Sequence, residues 1–108
     1  MPRITPCLWF DTQAEEAATF YASIFRNSSV GKITRYTDAH YPGGPESQPG
    51  KVLTVDFELD GQKFTSINGG PVFQFSEAVS MVIDCKDQAE VDYYWDALLA
   101  GGGQPSQC

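Results

Sequence analysis

The chain has 108 residues, 42% of them hydrophobic and 13% aromatic, which suits one modest core and excludes a disordered segment. Fourteen acidic residues against seven basic give a formal charge of −7, and no Lys/Arg cluster supplies the field that phosphate binding requires, so a nucleic-acid partner is excluded. No run of about 18 apolar residues exists to cross a membrane, and Met1-Pro2-Arg3-Ile4-Thr5-Pro6 holds no apolar stretch of signal-peptide length; no membrane partner and a cytoplasmic location are expected.

In chain order, Pro6 to Phe10 is apolar and short enough to be a strand. Thr12 and Glu15 have the spacing of a capping box, which would satisfy free N–H groups at a helix start. Ala14, Ala17, Phe20, Tyr21, Ile24 and Phe25 then recur at helical spacing, giving one apolar, aromatic face suited to packing on a sheet. Asn27-Ser28-Ser29 ends this helix, and Val30 to Tyr36 has the β-branched residues of a second strand. Thr37 to Gly50, rich in Pro, Gly and small polar residues, reads as a long loop.

Leu53, Val55, Phe57 and Leu59 alternate with Thr54, Asp56, Glu58 and Asp60, the pattern of a strand with one apolar and one polar face. Asp60-Gly61 is a two-residue hairpin signal, and Lys63 to Asn68 is the return strand, closed by Gly69-Gly70-Pro71. Ala78 to Cys85 reads as a further apolar strand. Asp87 then caps a helix whose Val91, Tyr94, Trp95, Leu98 and Leu99 share one side, and Gly101-Gly102-Gly103 ends it.

Thr12-Gln13-Ala14-Glu15 and Asp87-Gln88-Ala89-Glu90 read alike at an offset of 75 residues, each after a short apolar run and each opening an aromatic-rich helix. The order strand, helix, three strands, then strand and helix again gives an α+β fold of paired βαβββ modules. Residues 1–70 form the first module and 71–108 the start of a second, incomplete one within a single domain 1–108. The roughly 43 residues after the first helix supply strand-like segments, whereas only nine follow Leu99, so a truncated second module is expected.

This order resembles the vicinal oxygen chelate superfamily, the glyoxalase and bleomycin-resistance fold. Within it the chain resembles the PhnB-like family, whose members often carry the name 3-demethylubiquinone-9 3-methyltransferase. The likeness is carried by Leu8-Trp9-Phe10-Asp11, by Glu16-Ala17-Ala18-Thr19-Phe20-Tyr21 with Ile24-Phe25, and above all by Ile67-Asn68-Gly69-Gly70-Pro71-Val72-Phe73-Gln74-Phe75 continuing to Ala78-Val79-Ser80. Asp87 to Asp96, the glycine triplet and Cys108 complete it. The resemblance implies two modules pairing into a cupped sheet around a ligand, a bacterial protein, and a homodimer.

Metal-dependent members of that superfamily use His and carboxylate ligands converging across the cup. Here the one histidine, His40, falls in the Pro/Gly-rich loop, and strand positions where ligands are expected carry Pro6, Cys7 and Met81. Neither a metal nor another cofactor is expected. Asp56 and Glu58 either line the cup or face water, the solvated reading being preferred. Cys7, Cys85 and Cys108 are odd in number and lack CxxC spacing, which argues against a disulfide framework and a zinc knuckle. The methyltransferase name finds no support, because Gly69-Gly70-Pro71 follows a hairpin strand instead of joining a strand to a helix.

What remains is a concave aromatic site for a small-molecule ligand. Its candidates are Trp9, Phe57, Asn68, Phe73 and Phe75, each aromatic having a place in the core as its alternative. No catalytic residue is assigned. Three functions stay open: a small-molecule-binding protein without a metal site, which is preferred; a lyase, isomerase or dioxygenase by superfamily analogy; and a structural role resting on dimerisation.

Overall fold

A computed structural model describes residues 3–36, 50–76 and 78–103. Its elements are β1 (Cys7–Phe10), α1 (Ala14–Ile24), β2 (Ser29–Arg35), β3 (Val52–Leu59), β4 (Gln62–Asn68) and α2 (Gln88–Ala100). The chain divides into two units, Met1–Phe75 and Ser76–Cys108.

In the first unit the four strands form one sheet in the order β1-β4-β3-β2. β1 runs parallel to β4, and the other two pairings are antiparallel. The β3–β4 connection is the expected two-residue hairpin. Asp60 (φ 49°) and Gly61 (φ 84°) are both left-handed, the geometry whose twist matches that of the flanking strands.

α1 packs chiefly over β3. Ala14 and Ala18, one helical turn apart and fully buried, bring the helix backbone close to the sheet, where Val55, Phe57 and Phe64 complete the core. Phe57 and Phe64 face each other across the β3–β4 ladder and stack at 5.2 Å with their planes 10° apart. Burying each ring contributes roughly 1.5–3 kcal/mol relative to exposure. The buried Ser66 hydroxyl donates to the Val55 carbonyl at 2.9 Å, so this core face leaves no cost of an unmet polar group there.

Two local expectations require correction. The capping box at Thr12 and Glu15 does not form: the residue preceding α1 is Gln13, which makes no side-chain cap. The Ala14 N–H instead donates to Asn68 Oδ1 at 2.8 Å, so a buried side chain from β4, 54 residues away, takes the acceptor role that the local motif would have filled. Ala78 to Cys85 contains no strand. Strand structure exists through a ladder with a neighbour, and among the described residues this segment pairs with none; Val79 and Val82 are 73% and 88% exposed.

The second unit holds α2. Asp87 caps it as expected, accepting from the Glu90 N–H at 3.0 Å, and Glu90 Oε1 accepts from the Lys86 N–H at 3.4 Å. The glycine triplet closes it: Gly101 N–H donates to Ala97 O, Gly103 N–H to Leu98 O, and Gly102 takes φ +101°. The helix starts of the repeat are out of step by one residue, since Gln13 precedes α1 and Asp87 precedes α2. No side chain of α2 is buried. The Thr37–Gly50 loop, with His40, falls almost wholly outside the described residues, as does Cys108.

Candidate functional site

The pairing register sorts side chains onto the two faces of the sheet. Leu8, Phe10, Val55, Phe57, Phe64, Ser66 and Asn68 lie on the α1 side. The distal face is built in rows across the strands. One row is Trp9, Ile67, Thr54 and Thr34; the next is Cys7, Thr65 and Asp56; the third is Lys63, Glu58 and Ser29. The first row is apolar at its β1 end, and the third is charged.

Trp9 is held by its surroundings. Gly69 has an ordinary backbone conformation, yet a Cβ there would lie 2.2 Å from the indole Cζ2, so the ring occupies the space a side chain would need. The indole N–H donates to the Gly70 carbonyl at 2.9 Å, and Phe73 meets the ring edge-to-face at 4.9 Å. Trp9 and Phe73 therefore form one wall at the end of the distal face. Phe75 turns to the other side and contacts Phe10 edge-to-face at 5.2 Å.

The remaining two residues of the expected site lie under α1. The Phe57 ring is buried in the core against Phe64. Asn68 is a bracket: Oδ1 takes the Ala14 N–H, Nδ2 donates to the Val52 carbonyl at 3.2 Å, and its own carbonyl accepts from the Tyr36 hydroxyl at 2.5 Å. Its side-chain amide thus joins α1 to β3, and its backbone carbonyl ties in Tyr36 just past β2.

Toward the charged rows lies a groove of about 410 Å³. Lys63 and Thr65 of β4, Asp56 and Glu58 of β3, and Ser29, Gly31 and Lys32 of β2 line it with Thr5, and Phe57 and Phe64 border it. A β-bulge shapes its β2 side. Val30 pairs with Phe57 and Ile33 with Val55, so Gly31 and Lys32 together stand opposite Asp56. The Thr65 hydroxyl donates to Asp56 Oδ1 at 2.6 Å. Sequence reasoning singled out Asp56 and Glu58 but missed Thr65, Lys63 and Lys32. Alternation along β4 was visible, but only the register shows that its polar residues share this face.

Among the described residues, no three His, Cys, Asp or Glu side chains are grouped to hold a metal ion. On the distal face Cys7, Asp56 and Glu58 are spread over two rows of side chains, with Lys63 and Thr65 among them. Gly70 turns the chain at φ +93° into Pro71 and Val72, and no helix begins there, so this glycine pair is not the strand-to-helix turn of a nucleotide-type site.

The family model described as 3-demethylubiquinone-9 3-methyltransferase matches residues 2–108. The chain belongs to this PhnB-like family. A PhnB protein from Bacillus cereus is 35% identical and superimposes with a TM-score of 0.74, over 90% of this chain and 73% of that one. A protein from Staphylococcus aureus is 30% identical, over 89% of this chain and 66% of that one, with a TM-score of 0.48. Among curated proteins, none matches. The PhnB-like chain thus has the mixed α+β fold expected from its sequence, with a four-stranded sheet and two helices among the described residues.

Proposed function

We propose that this PhnB-like chain is a small-molecule-binding protein of the vicinal oxygen chelate type, which takes its ligand on the distal face of the sheet without a metal. The observation that carries the reading is the Trp9–Phe73 wall. An edge-to-face pair stands at one end of a face that continues into a groove, the combination of flat apolar surface and few oriented polar groups that small ligands require. The βαβββ order with strands arranged β1-β4-β3-β2 supports the superfamily assignment. Phe75 extends the apolar surface around the edge of β1. Phe57 and Asn68 support the site from beneath, as core packing and as the bracket.

Homodimerisation in a bacterial cytoplasm belongs to the same reading. β1 stands at the edge of the sheet, and edge N–H and C=O groups recruit a further strand. The Bacillus relative supports the bacterial source. No helix is long and apolar enough to cross a membrane, among the described residues.

The test uses the Trp95→Phe variant, in which Trp9 is the single tryptophan. Titration with 2-naphthol, a flat aromatic probe, is expected to change Trp9 emission saturably, and the change to vanish in Phe73→Ala. Emission that responds only linearly with concentration would overturn the binding reading. Native mass spectrometry of the full chain reads the oligomeric state and any co-purified organic ligand; a monomer would overturn the dimer.

A further inference from the structure

The groove at the far end of the distal face has a chemistry that the aromatic wall does not share. Its charges come as opposites. The β3–β4 register sets Lys63 directly across from Glu58, and the β2 bulge sets Gly31 and Lys32 across from Asp56. Two carboxylates and two ammonium groups therefore line one groove of about 410 Å³, balanced in charge although the chain as a whole carries −7. A field of that kind favours neither a simple anion nor a simple cation. It suits a molecule that carries both charges.

Two features give the groove direction and room. Thr65 donates its hydroxyl proton to Asp56 Oδ1 at 2.6 Å, which orients the carboxylate while leaving Oδ2 as an acceptor. Gly31 is a strand-interior glycine that neither backbone nor packing demands. Its φ is outside the left-handed region, and an added Cβ would meet the Asp56 carbonyl oxygen at 3.4 Å, an ordinary contact. What its missing side chain does is leave the groove open beside Asp56.

We propose that this groove binds a small zwitterion, with the ligand's ammonium group on Asp56 and its carboxylate on Lys63. Asp56 pairs with Thr65, so Lys63 is its diagonal cross-strand neighbour, their Cα atoms about 7–8 Å apart. A zwitterion with several carbons between its two charges is long enough to bridge these neighbouring positions. The inference rests on the reading of the distal face as the ligand site and names the ligand class for its polar end.

The experiment is a two-dimensional amide NMR titration of the full chain with 5-aminopentanoate, beside pentylamine and pentanoate as single-charge controls. Saturable shifts are expected at Gly31, Asp56 and Thr65, with 5-aminopentanoate binding about tenfold more tightly than either control, the factor that one further charge-assisted contact supplies. Asp56→Asn and Lys63→Gln are each expected to remove that advantage, and unchanged shifts over α1 will show that the fold is kept. Equal binding of pentylamine would make this a cation site and overturn the proposal, as would the absence of saturable shifts with 5-aminopentanoate. Parallel titration with 2-naphthol separates the two readings: saturation by 5-aminopentanoate without any response to 2-naphthol would sustain the groove and sink the aromatic wall, and the converse would sink the groove alone.

Discussion

Gly69→Ala should expel the Trp9 indole from its seat. The added methyl would lie 2.2 Å from Cζ2, 2.3 Å from Cη2 and 2.7 Å from Cε2, far inside contact distance. Because Gly69 is not left-handed, alanine meets no backbone penalty there, and the whole effect is steric. Moving the ring breaks the indole bond to Gly70, a net loss of about 1 kcal/mol. It also breaks the edge-to-face pair with Phe73, about another 0.5–1.5 kcal/mol. With the residual strain of an overfilled site, the expected cost is about 2–3 kcal/mol. Urea unfolding followed by circular dichroism measures that cost, and Trp9 emission in a Trp95→Phe background is expected to shift to longer wavelength as the indole meets water. A double-mutant cycle isolates the cause: in Trp9→Ala the same Gly69→Ala change should cost no more than about 0.5 kcal/mol. An equal cost in both backgrounds, or an unaltered Trp9 spectrum, would refute the seat and with it the fixed aromatic wall.

Other consequences can be checked on the same protein. Asn68→Ala removes the acceptor for the Ala14 N–H and the donor for the Val52 carbonyl, and should cost about 2–4 kcal/mol in urea unfolding; Asn68→Asp keeps the acceptor at the helix start and should lose less. Gly61→Ala, at φ +84° with open space around its Cβ, should cost about 1 kcal/mol through the backbone alone, without moving the amide resonances of the core. The Cys85 thiol is held above its ordinary pKa by desolvation, with Glu90, Asp84 and Asp87 adding to the shift. It should therefore react with a disulfide reagent more slowly than glutathione does at pH 8. The sign for stability follows: the raised pKa favours the protonated folded form, so its contribution is present below the unfolded thiol's pKa and is lost as pH rises through the folded one. A Cys85→Ser variant should lose that part of the alkaline decline, measured by urea unfolding across pH.

The elements legible in the sequence were those specified locally. The alternation Leu53 to Asp60 marks β3, Asp60-Gly61 marks its hairpin, and Asp87 marks the start of α2; in each case the deciding interaction lies within a few residues. The readings that changed depend on distant partners. Thr12 and Glu15 have the spacing of a capping box, but the free Ala14 N–H is reached first by Asn68 from β4. Ala78 to Cys85 has the composition of a strand, but composition cannot supply the neighbouring backbone that makes one.

The site divides by the same rule. That Trp9 and Phe73 would meet followed from no spacing in the chain: it depends on the parallel β1–β4 register, which places Trp9 beside Ile67 two residues before Gly69, and on the turn at Gly70 that brings Phe73 back over the ring. Asn68 was a candidate for the site, but its amide donor and acceptor are both engaged on the α1 side, where they join α1 to β3. The glycine beside it has the opposite role. Asn68 holds the framework through what its side chain bonds, whereas Gly69 admits the indole through what it lacks. The two adjacent residues thus fix the two faces of the sheet, one as core and one as the wall of a site, and substituting them separately is the means of telling framework from function in this protein.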